Sequence, residues 1–233
     1  MAVFGKHGSR LFGIERRILI GFLAASALCL AFLHFASEVM EGETLAFDRR
    51  ILLALRTPGN LAVPIGPAWL KFAMTDITAL GGFTLLTLIT VFAVCYLLAA
   101  RKTVTAAIVA GSVVSGVIGS TLLKAVFLRT RPDIVPHLVA VQSASFPSGH
   151  AMNSAVTYLT LGALLASAEK SRRVRVFLMS VAIFLTLAIG ISRVYLGVHW
   201  PSDVIAGWCV GSAWAVLCSM TARALRRAPV RGD

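Results

Sequence analysis

The sequence predicts an all-α, polytopic membrane protein with six transmembrane helices, and three observations lead to this prediction. Hydrophobic residues make up 58% and charged residues 14% of the 233 residues, and the mean hydropathy is +0.84. A soluble domain has roughly 45–50% apolar and about 25% charged residues, and a disordered chain has far less apolar surface. The apolar residues lie in blocks of the length, about 20 residues, that a helix needs to cross a bilayer. Residues 1–233 are therefore expected to form a single membrane-embedded domain.

Six apolar blocks are the predicted spans. They cover residues 18–36, 77–100, 104–123, 151–168, 176–192 and 204–221. Each must satisfy its own backbone hydrogen bonds in the bilayer, which leaves the α-helix as the structure of a single segment. The first block follows Arg16 and Arg17, so a cleaved signal peptide is an alternative interpretation of it. Its apolar stretch is longer than that of an ordinary signal sequence and no clear cleavage site follows, which favours a retained span.

The longest predicted loop, residues 37–76, contains one short helical pattern. Its apolar residues recur at helical spacing, and they are Phe47, Ile51, Leu52 and Leu55. Charged residues occupy the other face, and a Thr-Pro-Gly-Asn run at 57–60 ends the pattern. A helix lying on the membrane surface fits this amphipathic pattern. A helix packed over the bundle as a lid fits it equally well.

The basic residues predict the orientation of the spans. The net charge is +12, but the basic residues cluster at the ends of apolar blocks, which indicates membrane topology and not a nucleic-acid partner. Most of the 22 Lys and Arg residues fall on the side of the N-terminus, the second and fourth loops and the C-terminal tail. The positive-inside rule places that side, and both termini, in the cytoplasm. The protein is therefore expected in the cell (inner) membrane.

Three basic residues are predicted to lie together at the outer ends of the spans. Lys124 and Arg131 follow the third span, and Arg193 follows the fifth. Cations that converge on one pocket repel each other unless an anion lies between them, and guanidinium groups match the oxygens of phosphate. Arg129 is a candidate fourth cation, but the favoured expectation is that its side chain reaches out to water, as isolated cations at a membrane boundary do.

A Pro-Ser-Gly-His sequence opens the fourth span on the same predicted side. Ser148 and Gly149 immediately precede this predicted helix. Free N–H groups and the positive end of the helix dipole make such a terminus an anion site. Gly149 also lets a ligand approach the backbone closely. These two residues are candidate phosphate ligands.

Two histidines are the candidates for chemistry. His199 precedes Asp203 by four residues, and Pro201 between them is favoured at the first position of a helix. Asp203 is thus expected to accept a hydrogen bond from one ring nitrogen of His199 and to leave the other free to attack. His150 is the candidate general acid and base. Metal binding by His150, His199 and Asp203 is the alternative, which the surrounding cations disfavour.

Together these residues resemble a known family. The patterns K-x6-RP, PSGH and SR-x5-H-x3-D look like the three signature motifs of the type 2 phosphatidic acid phosphatase (PAP2) superfamily, in its bacterial integral-membrane lipid phosphatase branch. The resemblance runs from Lys124 to Asp203 at motif level and fills every signature position. It implies a six-helix bundle with its site at the extracytoplasmic, periplasmic ends of the helices.

The resemblance also implies a role for each candidate residue. The phosphate-binding residues would be Lys124, Arg131, Arg193, Ser148 and Gly149, and the catalytic residues would be His199, His150 and Asp203. In this scheme His199 forms a phosphohistidine, Asp203 supports it, and His150 acts as acid and base. The family works without a metal ion, so neither a metal nor a cofactor is expected.

The expected reaction is hydrolysis of a phosphomonoester or diphosphate on a membrane lipid. Undecaprenyl diphosphate, phosphatidic acid, phosphatidylglycerol phosphate and lipid A are candidate substrates, and the sequence does not rank them. Transfer of the phosphate to an acceptor lipid is one alternative function. A lipid-phosphate binding or transport protein without turnover is another, and a vanadate-dependent haloperoxidase is disfavoured by the six apolar spans. The expected partners are the lipid substrate and the bilayer, with no nucleic acid, and the oligomeric state stays open.

Overall fold

The computed structural model describes residues 4–225, and most of these residues are helical. The helices are α1 (Phe4–Glu41), α2 (Leu45–Ala54), α3 (Ala68–Ala79), α4 (Phe83–Ala99), α5 (Thr103–Phe127), α6 (Gly149–Ala168), α7 (Arg172–Tyr195) and α8 (Pro201–Leu225). Two short strands, β1 (Arg56–Thr57) and β2 (Asn60–Pro64), form an antiparallel hairpin. Gly59 has a φ of +81° in the turn between them, a conformation that glycine adopts without strain. The hairpin is a small departure from the predicted all-α class.

Five helical segments within the described chain are long and apolar enough to cross a membrane. They are Leu19–Glu41, Thr103–Phe127, Gly149–Ala168, Arg172–Tyr195 and Pro201–Ala222. A sixth span results if α3 and α4 are counted together, since these two helices are bent by 46° at a short break. Each of the six predicted blocks therefore lies on a long helix or on this bent pair.

The predicted block 77–100 is corrected, because it is not one continuous helix. The chain leaves the helical path between Ala79 and Phe83. At Gly81 a Cβ atom would lie 2.4 Å from Cγ2 of Ile189, so glycine allows α7 to approach the break closely. The hydroxyl of Tyr158 donates a hydrogen bond of 2.8 Å to the carbonyl of Leu80, which satisfies an acceptor at the end of α3.

Helix α6 lies at the centre of the bundle and packs against α5, α7 and α8, while α1 packs on the outside of α8. Glycines on α8 make the contact with α6 close. A Cβ atom at Gly207 would lie 2.8 Å from the carbonyl oxygen of Ser148, and one at Gly211 would lie 2.5 Å from that of Met152. Small side chains at such positions let two helices approach closely in a membrane.

Helix α2, in the 37–76 loop, packs against the end of the bundle at which α8 begins. Leu52 is fully buried in a cluster with Trp200 and Val204 near the start of α8. Asp48 on the same helix is also fully buried. Other apolar side chains of α2 stay exposed, among them Phe47 at 47%. The helix therefore covers the start of α8 and keeps an apolar surface toward its surroundings.

Candidate active site

The three motifs meet at one end of the bundle. Helices α5 and α7 end there, and α6 and α8 begin there. The loop between α5 and α6 is fastened by backbone hydrogen bonds from Leu138 to Leu196 (3.0 Å) and from Ser148 to Asp203 (3.0 Å). Residues 124–131, 147–150 and 193–203, which are distant in the chain, are thus brought together as the sequence predicts.

His199 and Asp203 form the predicted pair. The Nδ1 atom of His199 lies 3.3 Å from Oδ2 of Asp203, and the two side chains are 1% and 0% exposed. The hydroxyl of Ser145 donates to the same Oδ2 at 2.5 Å and lies 3.3 Å from Nδ1. The backbone N–H of Trp200 also donates to Oδ2, at 2.9 Å. Asp203 is therefore held from three directions on the side that faces the imidazole.

The other ring nitrogen of His199 faces Arg131. The Nη1 atom of Arg131 lies 3.2 Å from Nε2, and it also donates to the carbonyl of Val198 at 2.5 Å. The Nε atom of Arg131 donates to the carbonyl of Ser143 at 2.8 Å. A guanidinium has donors only, so Nε2 is the acceptor and the ring proton lies on Nδ1, toward Asp203. This is the tautomer in which Nε2 carries a lone pair.

Lys124 lies beside the start of α6. Its Nζ atom donates to the carbonyl of Ala144 at 2.5 Å, in the segment just before Pro147. A Cβ atom at Gly149 would lie 3.3 Å from Cε of Lys124 and 3.5 Å from Oγ of Ser120. Glycine at 149 therefore leaves room for the lysine stem against the N-terminus of α6. Ser148 is the N-cap of this helix, and its side chain accepts from the N–H of Ala151 at 3.5 Å.

Arg193 enters the site from α7 and is 4% exposed. Its Nη1 atom donates to the hydroxyl of Thr78 on α3 at 3.0 Å. Its Nε atom is buried and has no hydrogen-bond partner among the described residues. A buried donor without a partner is available to a bound anion, which fits the predicted phosphate-binding role of this residue.

His150 occupies the first turn of α6, opposite the break between α3 and α4. A Cβ atom at Gly81 would lie 3.4 Å from Cδ2 of His150. The charges of Arg193, Arg131 and Lys124 and the ring of His199 all lie within electrostatic range of His150. The two candidate histidines therefore face the same group of cations.

Burial and positive charge act together on the nucleophile candidate. Burial lowers the pKa of His199 well below its ordinary value, and the charges of Arg131, Arg193 and Lys124 lower it further. A lower pKa keeps the imidazole neutral, which is the form that can attack. Burial also lowers the pKa of Arg131, although an arginine stays charged at any working pH.

The expectation that Arg129 reaches out to water is wrong. Its side chain is 11% exposed, and Nη1 lies 2.6 Å from Oδ1 of Asp203 while Nη2 lies 2.8 Å from Oδ2 of Asp48. Two buried carboxylates attract this guanidinium more strongly than the membrane surface does. Asp48 is one of the charged residues on the polar face of the helix predicted in the 37–76 loop, and the sequence gave no signal that it would contact Arg129.

The hydrogen bonds that Asp203 accepts disfavour the alternative of a metal site. Both oxygens of Asp203 already accept hydrogen bonds, from Arg129 on one side and from Ser145 and Trp200 on the other. Within residues 4–225 no three His, Cys, Asp or Glu side chains converge as metal ligands do.

Comparison with known proteins agrees with the motifs. A family model described as the PAP2 superfamily matches residues 105–227. Phosphatidylglycerophosphatase B of Bacillus subtilis (strain 168) is 32% identical over 189 residues, which cover 79% of this chain and 88% of the relative. An undecaprenyl-diphosphatase of Sulfolobus acidocaldarius is 43% identical over 68 residues, 29% of each chain.

The fold agrees as well. A crystal structure of a transmembrane PAP2-type phosphatidylglycerolphosphate phosphatase from Bacillus subtilis superposes with a TM-score of 0.78 and 29% identity, covering 89% of this chain and 98% of that chain. The matched family segment includes all three motifs, and the matched fold includes the helices that carry them. The chain therefore belongs to the PAP2 superfamily, and it is an integral-membrane phosphatase that hydrolyses phosphate esters.

Proposed function

We propose that this protein hydrolyses the phosphomonoester or the diphosphate of a membrane lipid in two steps, with His199 as the nucleophile. The observation that carries the proposal is the hydrogen-bonding state of His199. Its Nδ1 faces Asp203 at 3.3 Å and its Nε2 accepts from Arg131 at 3.2 Å. The imidazole is therefore held in one tautomer, with the lone pair of Nε2 directed toward Arg131.

In the first step Nε2 of His199 attacks the phosphorus in line with the lipid oxygen. The P–N bond forms as the P–O bond breaks, and His150, which takes up a proton when the bound phosphate anion offsets the surrounding cations, gives that proton to the leaving oxygen. In the second step His150 takes a proton from water, and the hydroxide displaces the imidazole to release inorganic phosphate. The Nδ1–H···Asp203 contact stabilises the positive charge that develops on the ring of His199.

The cations stabilise the transferring group. Lys124, Arg131 and Arg193 all lie within electrostatic range of His199, and we expect them to donate to the three equatorial oxygens of the phosphoryl group. The N-terminus of α6 at Ser148 and Gly149 adds backbone N–H groups and a helix dipole. These groups supply the positive charge that a metal ion would otherwise bring, so we propose hydrolysis without a metal.

An apolar cavity of about 480 Å³ supports a lipid as the substrate. It lies between α2, α3, α7 and α8, and Tyr195, Pro201 and Val204 contribute to its wall within five residues of His199. Such a surface accommodates an acyl or prenyl chain while the phosphate enters the cationic site. The names of the relatives support phosphatidylglycerol phosphate and undecaprenyl diphosphate as candidates.

The distribution of basic residues supports the orientation of the site. Loops on the side of the N-terminus carry most of the Lys and Arg residues, so we place both termini in the cytoplasm and the active site on the extracytoplasmic side of the cell (inner) membrane.

The test is phosphate release by the purified protein from a panel of lipids. The panel contains phosphatidic acid, phosphatidylglycerol phosphate, undecaprenyl diphosphate and lipid A, each assayed with and without EDTA and with vanadate. We expect turnover of at least one lipid that survives EDTA, is blocked by vanadate, and is lost in His199→Ala. The matched control is His34→Ala, because the side chain of His34 is 68% exposed and remote from the motifs in sequence. Wild-type turnover in His199→Ala contradicts the proposed nucleophile, and production of a phosphorylated acceptor lipid in place of free phosphate indicates transfer.

A further inference from the structure

A buried ion network connects the outer helix α2 with the carboxylate that supports the nucleophile. The guanidinium of Arg129 lies between Asp48 and Asp203, and both carboxylates are 0% exposed. Nη2 contacts Asp48 at 2.8 Å and Nη1 contacts Asp203 at 2.6 Å. Charge-assisted hydrogen bonds of this length are among the stronger contacts in proteins.

Asp48 has a second role at the start of α8. Its Oδ1 atom accepts from the backbone N–H of Ser202 at 2.9 Å, and its Oδ2 atom accepts from the Ser202 hydroxyl at 2.5 Å. The same hydroxyl oxygen accepts from Nη1 of Arg129 at 2.8 Å. A carboxylate at a helix N-terminus satisfies free N–H groups and interacts favourably with the helix dipole. Asp48 therefore fixes the turn of α8 from which Asp203 projects.

Arg129 contacts Asp203 on the side away from the imidazole. Arg129 uses Oδ1, whereas His199, Ser145 and the N–H of Trp200 use Oδ2. The guanidinium of Arg129 lies over the ring of Trp200, 5.5 Å from its centroid. It is thus separated from the cations that face Nε2 of His199 and acts on the nucleophile through Asp203.

A buried carboxylate requires such a partner. Removing one member of a buried ion pair leaves an uncompensated charge in a medium of low dielectric constant, which is strongly unfavourable. Asp203 orients His199 only while it is ionised and held in place. The hydroxyl of Ser145 and one backbone N–H supply hydrogen bonds, but Arg129 is the cation that lies within hydrogen-bond distance of Asp203 in the described chain.

We propose that Arg129 and Asp48 are positioning residues for catalysis, which hold Asp203 ionised and oriented. His199 then keeps its Nδ1–H tautomer, and its Nε2 atom stays directed toward the phosphorus atom of the substrate. Helix α2 is then a part of the active site and not only a cover over it. This inference rests on the proposed role of His199.

The experiment compares Arg129→Met, Arg129→Lys and Asp48→Asn with wild type in phosphate release and in vanadate binding. The control is Arg50→Met, an equal change at an exposed position of α2. We expect kcat to fall by about 100-fold in Arg129→Met, because small displacements of a catalytic group have effects of that size. Asp48→Asn should show a smaller fall. KM and vanadate affinity should change little, since the side-chain hydrogen bonds of Arg129 in the described chain go to Thr44, Asp48, Ser202 and Asp203. Arg129→Lys should restore part of kcat.

The pH profile separates positioning from a merely structural role. The groups that face His199 are Lys124 from α5, His150 from α6, Arg193 from α7, Arg131 and Ser145 from the preceding loop, and Asp203 from α8. Without Arg129, Asp203 loses the cation that stabilises its buried negative charge, so it takes up a proton and stops orienting His199 at a higher pH than in wild type. The acid limb of the kcat profile should therefore move to higher pH in Arg129→Met and stay in place in Arg50→Met.

Three outcomes overturn the inference: an unchanged kcat in Arg129→Met, a loss of vanadate binding in parallel with kcat, or a lowered kcat with an unmoved acid limb. The second outcome would mean that the network only builds the phosphate site. The role of His199 is tested separately, because wild-type turnover in His199→Ala contradicts the nucleophile whatever the Arg129 variants do.

Discussion

The Nη1 atom of Arg131 lies 3.2 Å from Nε2 of His199, so the residue that we propose to bind phosphate and the proposed nucleophile are in direct contact without substrate. We expect Arg131→Met to lower kcat/KM and to move its acid limb to higher pH. The positive charge of Arg131 lowers the pKa of His199, and without it the pKa rises toward the ordinary value near 6.5. The nucleophile is then protonated over a wider range of pH. The measurement is kcat/KM from pH 4 to 8 (about the range over which a histidine titrates), and an acid limb identical to that of wild type contradicts the contact.

Thr78→Val should weaken the phosphate site without removing any charge. The Thr78 hydroxyl accepts from Nη1 of Arg193 at 3.0 Å, and valine has nearly the same shape without the acceptor. Hydrogen-bond partners that orient a ligand-binding side chain contribute about 10- to 100-fold to affinity or activity, so we expect kcat/KM to fall by about tenfold. Thr75→Val is the matched control, since its hydroxyl contacts only the carbonyl of Lys71. Equal activity of the two variants would show that Thr78 does not orient Arg193.

Gly211→Ala should destabilise the bundle. The added Cβ would lie 2.5 Å from the carbonyl oxygen of Met152 and 2.8 Å from Cβ of Ala155, so α8 and α6 must separate. Overpacking of this kind costs about 1–3 kcal/mol. The control is Gly111→Ala, whose Cβ would meet nothing within 4 Å. Thermal unfolding in detergent should show a lower Tm for Gly211→Ala and no loss for Gly111→Ala, and the reverse order would contradict the packing.

Cysteine labelling tests the orientation of the site. In a background without the four native cysteines, we place one cysteine at Asn60 in the hairpin and another at Ser171 before α7, both at exposed positions. A membrane-impermeant maleimide should label Asn60→Cys in intact cells and Ser171→Cys only after the cells are opened. The opposite pattern would place the active site in the cytoplasm and contradict the positive-inside argument.

The sequence predicts the spans and the motif residues well because each depends on local features. Six apolar blocks coincide with the long helices and the bent pair, and the His199 to Asp203 spacing places both residues around the start of α8 as expected. The break within 77–100 was missed because two glycines in an apolar block leave hydropathy unchanged. The close approach of Ile189 on another helix to Gly81 is a long-range contact that hydropathy does not record.

The polar contacts that support the motif residues could not be predicted from local sequence patterns, because they join residues far apart in the chain. Asp48 and Arg129 are 81 residues apart, and Thr78 and Arg193 are 115 apart. Hydropathy treats a charged residue in a loop as solvated, so it assigned Arg129 to the membrane surface. Only the folded chain brings two carboxylates to that guanidinium.

The most direct test of the account is to trap the phosphorylated enzyme. Purified protein is mixed with a lipid substrate labelled at the phosphate, quenched in alkali within a turnover, and digested for mass spectrometry. Phosphohistidine survives alkali and is lost in acid, so we predict label on the peptide that contains His199, absent in His199→Ala and present in the His34→Ala control. Label on another residue, or rapid turnover without any labelled protein in wild type, would contradict nucleophilic attack by His199.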